Sequence, residues 1–171
     1  MHLVHYNIRC GRNLGDAIAN CPSDNEALAV LGIMIEEGDY NPHFENLLDA
    51  FQYITADDAS THFKPTALEK LLPHDTNEFW RYSGSLTTPG CDELVVWTVF
   101  KNPIQMSKHQ LEKMFQLQDC DGTSLVNNFR PTQPLNSRVV YFANLEFDCD
   151  NDFYWHKDEA CNIANRFVIF L

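Results

Sequence analysis

Basic residues are scarce in this chain: 12 Lys and Arg stand against 24 Asp and Glu over 171 residues, a formal charge of −12. That balance excludes nucleic acid as a natural partner, because phosphates are held by Lys and Arg. Long apolar runs are also missing, and nothing approaches the roughly 20 residues that cross a bilayer. No basic patch followed by a hydrophobic stretch opens the chain, so no secretory leader is visible. Internal repeats and low-complexity tracts are absent as well. What is present suits one soluble globular domain, at 44% hydrophobic and 21% charged residues.

Six cysteines are many for a cytosolic chain of this length and favour an oxidising compartment, although composition leaves their pairing open. Cys10 and Cys21 flank a loop with a short helical piece near Leu14–Ala19 and are placed to staple it. An acidic surface serves solubility first, and divalent cations such as calcium second.

The most heavily punctuated stretch is Phe79-Trp80-Arg81-Tyr82-Ser83-Gly84-Ser85-Leu86-Thr87-Thr88-Pro89-Gly90-Cys91. An aromatic strand end meets Ser-Gly-Ser, and two adjacent hydroxyls are then stopped by Pro-Gly, which breaks regular structure. Asp92 to Phe100 follows, apolar on both alternating faces in the manner of a strand inside a sheet. On spacing alone, a hairpin connection with incidental threonines accounts for this corner.

Other elements are legible from local chemistry. Ala27 to Ile35 is a continuous apolar run, predicting a buried strand over Leu28–Ile35. Asn41-Pro42 predicts a helix start, with Phe44, Leu47, Leu48, Phe51 and Ile54 forming one apolar stripe to about residue 54. Ser107-x-x-Gln110 is a capping box ahead of a helix over about 108–117. In His2-Leu3-Val4-His5, strand alternation puts His2, Val4 and Tyr6 on one face and His5 on the other. His2 and His5 therefore do not serve one metal, and spacing alone makes His2 a structural or exposed histidine. His62 and His74 read as exposed loop residues.

Three motifs in order resemble the α-carbonic anhydrases. Ser85-Leu86-Thr87-Thr88-Pro89, within Trp80–Trp97, matches that family's most specific run. Met1-His2-Leu3-Val4-His5-Tyr6-Asn7 is similar to the strand bearing its third zinc-binding histidine. Asn128-Phe129-Arg130-Pro131-Thr132-Gln133-Pro134-Leu135 resembles its Arg-Pro-x-Gln-Pro-Leu segment. The resemblance implies a β-dominated mixed α/β fold with a central, mostly antiparallel sheet and short peripheral helices. It covers residues 1–142, leaving 143–171 as an acidic tail. Within that tail, Glu146 to Asp152 lacks the glycine and spacing of a calcium loop and reads as solvated.

For the chemistry, the resemblance implies Zn2+ on three histidines with a bound water whose pKa falls to about 7. Its hydroxide attacks carbon dioxide and gives bicarbonate. His2 is then the third ligand and His5 a buried histidine behind the site. Val4, Leu28, Val30, Leu86, Val95 and Trp97 become the apolar wall. Thr87 aims the hydroxide by accepting its proton, and Thr88 contacts bicarbonate. Arg130 and Gln133 tie the late segment to the sheet. Cys91 stands where secreted relatives carry a disulfide cysteine.

The family's other two ligands lie on a His-x-His strand, and His-x-His occurs nowhere in this sequence. The chain is therefore expected to be the C-terminal part of an extracellular carbonic anhydrase domain, inactive alone. The other class that fits is a non-catalytic relative, in an extracellular or mineral matrix, that uses the scaffold for binding.

Overall fold

The computed structural model describes residues 1–21, 27–54, 59–119, 121–145 and 167–170. In chain order the elements are β1 (His2–Tyr6), α1 (Leu14–Asn20), β2 (Leu28–Gly32), β3 (Ile35–Glu37), α2 (Glu45–Phe51), β4 (Glu78–Gly84), β5 (Val95–Phe100), β6 (Ile104–Met106), α3 (Lys108–Met114), β7 (Tyr141–Asn144) and β8 (Phe167–Phe170). They fall into two compact units. One comprises Met1–Ile33, Asp75–Asn102 and Arg130–Leu171; the other comprises Met34–His74 and Pro103–Phe129.

The first unit is a six-stranded sheet in the order β7-β4-β5-β2-β1-β8. Its pairings are antiparallel except β2 with β5, as the sequence reading expects. β5 has strands on both sides, which is why Val95, Trp97, Thr98 and Phe100 are all buried and the run has no polar face. α1 is capped by Asn13, whose Oδ1 accepts the Asp16 N–H at 2.9 Å. A Cys10–Cys21 disulfide brackets it. Phe167–Phe170 pairs antiparallel with β1, so these four residues form a strand of the sheet.

The expected strand Leu28–Ile35 divides in two. β2 stops at Gly32, the Ile33 N–H goes to the Met1 carbonyl, and Met34 is exposed. Ile35 opens β3, which pairs parallel with β6 in a separate two-stranded sheet of the second unit. Unbroken apolarity marks burial but not the point at which a chain changes partner.

In the second unit Asn41 caps a 3-10 turn, Pro42–Phe44, which runs on into α2. Phe44, Leu48 and Phe51 are buried along one stripe. The capping box at α3 is complete: the Gln110 N–H reaches Ser107 Oγ, and Gln110 Oε1 accepts the Ser107 N–H at 3.1 Å. α3 ends at Met114, earlier than the apolar pattern suggests, and Phe115 beyond it is exposed.

Candidate functional site

Register builds the site. Val4 pairs with Val30, Val30 with Trp97, and Trp97 with Tyr82, in one line across β1, β2, β5 and β4. A parallel line joins Tyr6, Leu28, Val95 and Gly84. Paired residues share a face, so all of these side chains lie on one side of the sheet. Val4, Leu28, Val30, Val95 and Trp97 form one buried cluster, and Leu86 packs on it from beyond β4. All six residues of the expected apolar wall are thus brought together.

Trp97 is fixed from three directions. Its Nε1–H donates to the Ser85 carbonyl at 3.0 Å. The Tyr82 ring stacks on it at 6.5 Å, and the His2 ring meets it edge-on at 4.8 Å and 75°. Gly84 permits this: a Cβ there would sit 3.0 Å from Trp97 Cδ1. Sequence reasoning passed over Tyr82 and the Ser85 carbonyl, although Tyr82 stands on the same alternating face of its own strand.

Burial, helped by the nearby Met1 ammonium, lowers the His2 pKa to about 4. The ring is therefore neutral at physiological pH, the form in which imidazole ligates metals. His5 is on the opposite face, half-buried, with Nδ1 3.2 Å from the Ala29 carbonyl.

The corner after β4 is closed by main-chain bonds from Leu86 N–H to the Asp92 carbonyl and from Cys91 N–H to the Thr88 carbonyl, each 3.0 Å. Gly90 and Cys91 both adopt positive φ, at 103° and 50°. Thr87 and Thr88 are exposed on this corner. Cys91 is a free thiol whose Sγ lies 3.4 Å from the Thr88 carbonyl. Arg130 ties the late segment to the sheet through Ser85 Oγ. Gln133 instead bonds within its own segment, to the Pro131 carbonyl at 2.8 Å, and Arg138 supplies the second tie, to the Ser83 carbonyl at 3.2 Å.

The sequence matches a known family. Residues 1–144 match the sequence model described as eukaryotic-type carbonic anhydrase. The chain belongs to that family. It is 35% identical to human carbonic anhydrase 12 over 147 residues, covering 82% of this chain and 40% of that protein. Identity to mouse carbonic anhydrase 7 is 39% over 144 residues, covering 82% and 53%. Bovine carbonic anhydrase 6 aligns along the whole chain at 34% identity, covering half of its own length. The chain thus spans about half the length of these carbonic anhydrases.

A catalytic zinc site takes three protein ligands. Among the described residues no group of three His, Cys, Asp or Glu side chains converges. In register, His2 has only Gly32 on β2 and Phe170 on β8 beside it. The zinc ion implied by the family therefore does not fit the residues described here.

Proposed function

We propose that this chain supplies the substrate wall and one histidine of a carbonic anhydrase, the enzyme that interconverts carbon dioxide and bicarbonate. The observation that carries this reading is the convergence of Val4, Leu28, Val30, Leu86, Val95 and Trp97 on one face with His2. A small apolar reactant is held by such a wall through dispersion and exclusion of water. Thr87 and Thr88, on the polar corner that continues from Leu86, are the groups to orient a hydroxide and contact the bicarbonate product. Val4 and Trp97 also set the depth to which a reactant enters. His2, kept neutral by burial, is poised to ligate but alone cannot close a zinc site.

The chain by itself should therefore bind zinc weakly and show negligible carbon dioxide hydration. Linking a His-x-His segment in the same polypeptide should bring stoichiometric zinc and hydration, and His2→Ala in that longer protein should abolish tight binding. Stopped-flow hydration with zinc counted by atomic absorption tests both halves. Stoichiometric zinc and brisk hydration from this chain alone would sink the proposal.

The non-catalytic reading rests on the missing three-ligand group among the described residues. A linked His-x-His segment that brings neither zinc nor hydration would favour it. The Cys10–Cys21 disulfide supports an oxidising, extracellular setting. No helix among the described residues is long and apolar enough to cross a membrane. The acidic run 146–152 lies outside the described residues, and calcium has no other support.

A further inference from the structure

We propose that the cleft between the end of β4 and the segment 130–138 binds a small oxyanion, such as acetate, bicarbonate or phosphate, between Arg130 and Arg138. Ser83, Gly84 and Ser85 line it together with Gln133 and the two arginines, and Glu93 lines it as well.

The argument rests on how the two guanidinium groups are held. All three Arg138 nitrogens donate to main-chain carbonyls: Nε to Leu135 at 3.2 Å, Nη1 to Ser83 at 3.2 Å and Nη2 to Pro134 at 2.7 Å. Carbonyls fix the group in place but carry no charge to neutralise it. Each Nη also retains a second N–H. Arg130 is bonded through one Nη to Ser85 Oγ, again a neutral partner. Among the described residues no carboxylate stands within 4.0 Å of either arginine. On a chain with twice as many acids as bases, two half-buried cations in one cleft, neither in contact with a carboxylate, form a local positive site.

The frame is also preformed. The Arg138 N–H closes a turn on the Leu135 carbonyl at 3.0 Å, with Asn136 at a φ of 51°. Little ordering is needed when an anion arrives, and paired guanidinium forks suit the planar or tetrahedral oxygens of an oxyanion. Glu93 is the opposing charge in the same cleft, and its exposed carboxylate disfavours an incoming anion.

The test is a titration of the full chain with sodium acetate and with phosphate at constant ionic strength, chloride serving as control. The arginine Nε–H resonances are followed by NMR, a readout independent of any hydration activity. Saturable shifts at Arg130 and Arg138 are expected, with a Kd on the order of 1–10 mM for an open, solvent-screened site. Arg138 variants risk unfolding the segment, so two other substitutions carry the test. Arg130→Gln should weaken binding about ten-fold, with Arg130→Lys in between, because a fork is lost before a charge. Glu93→Gln should tighten it about three-fold, the effect of one unit charge a few Å away in watery surroundings. Non-saturating shifts, or shifts equal to those with chloride, would overturn the proposal. A fall in Tm for Glu93→Gln without tighter anion binding would also overturn it, by making Glu93 the arginines' own counter-ion.

Discussion

The two compact units fix their interiors by different means. The sheet unit is organised around an indole: Trp97 is gripped by apolar neighbours and uses one polar atom, its Nε1–H. The other unit is organised around an amide. Gln110 is fully buried, takes the N–H groups of Asn41 and Ser107 on Oε1 at 2.9 and 3.1 Å, and donates Nε2–H to the Asn41 carbonyl at 2.7 Å. An apolar hub gains its strength from area and tolerates small shifts of its neighbours. A buried amide gains little net energy but is intolerant of loss, because its partners have no water to turn to. The first design binds four strands into one apolar face, and the second fixes the joint between a helix cap and a distant turn.

Removing each hub separates these two cases. Trp97→Ala should cost about 3–5 kcal/mol, the range for deleting a buried aromatic side chain. Denaturant unfolding measures it, and hydrogen exchange should show the loss at β2 and β5 amides first; an equal early loss in α3 would erase the contrast. Gln110→Leu keeps the volume but strands three main-chain groups, and should cost about 3 kcal/mol. If Gln110→Leu proves neutral in a thermal melt, the amide is not a hub.

Acid probes the sheet unit through His2. His2 has a folded pKa near 4, depressed from 6.5, so its contribution to stability is complete above 6.5 and is lost as pH falls towards 4. The loss should be roughly 2 kcal/mol after discounting the ring's partial exposure. NMR of the His2 ring protons locates the midpoint, and a value near 6.5 would contradict the burial described here.

The smallest effect belongs to the surface of the helical unit. Lys113 bridges Asp49 at 2.7 Å and Glu45 at 3.1 Å, and those hydrogen bonds raise its pKa. Lys113→Met should nevertheless change stability by less than about 1 kcal/mol, because solvent and salt screen the pairs. A larger loss by differential scanning calorimetry would move this clasp into the company of Gln110.

Local chemistry was the most legible part of the sequence. The Ser107–Gln110 box, the Asn41-Pro42 start and the β5 run all depend on residues within one turn or one strand, and each stands where its pattern puts it. The reach of Gln110 to Asn41, the grip of Ser85 on Trp97 and the division of 28–35 between two sheets depend on partners far along the chain. No local signal encodes those. The residues expected to form an apolar wall are named through family motifs, and strand register accounts for how they meet: alternate positions on neighbouring strands face the same way. Spacing alone reads His2 as a structural or exposed histidine, and its half-buried ring against Trp97 is the first of these.

β1 pairs with β2 on one side and β8 on the other, so it lies between a strand that follows it closely in the sequence and one synthesised much later. On a ribosome, β1 leaves the tunnel long before Phe167–Phe170 exists. Until then its outer edge has main-chain donors and acceptors with no β8 to satisfy them, as does any nascent sheet border. Closure also waits on the parallel joining of Leu28 to Val95, another pairing of high contact order. Birth, more than the finished state, is therefore when this chain is exposed to mispairing, and a chaperone at that border should raise its folded yield more than a stronger core would.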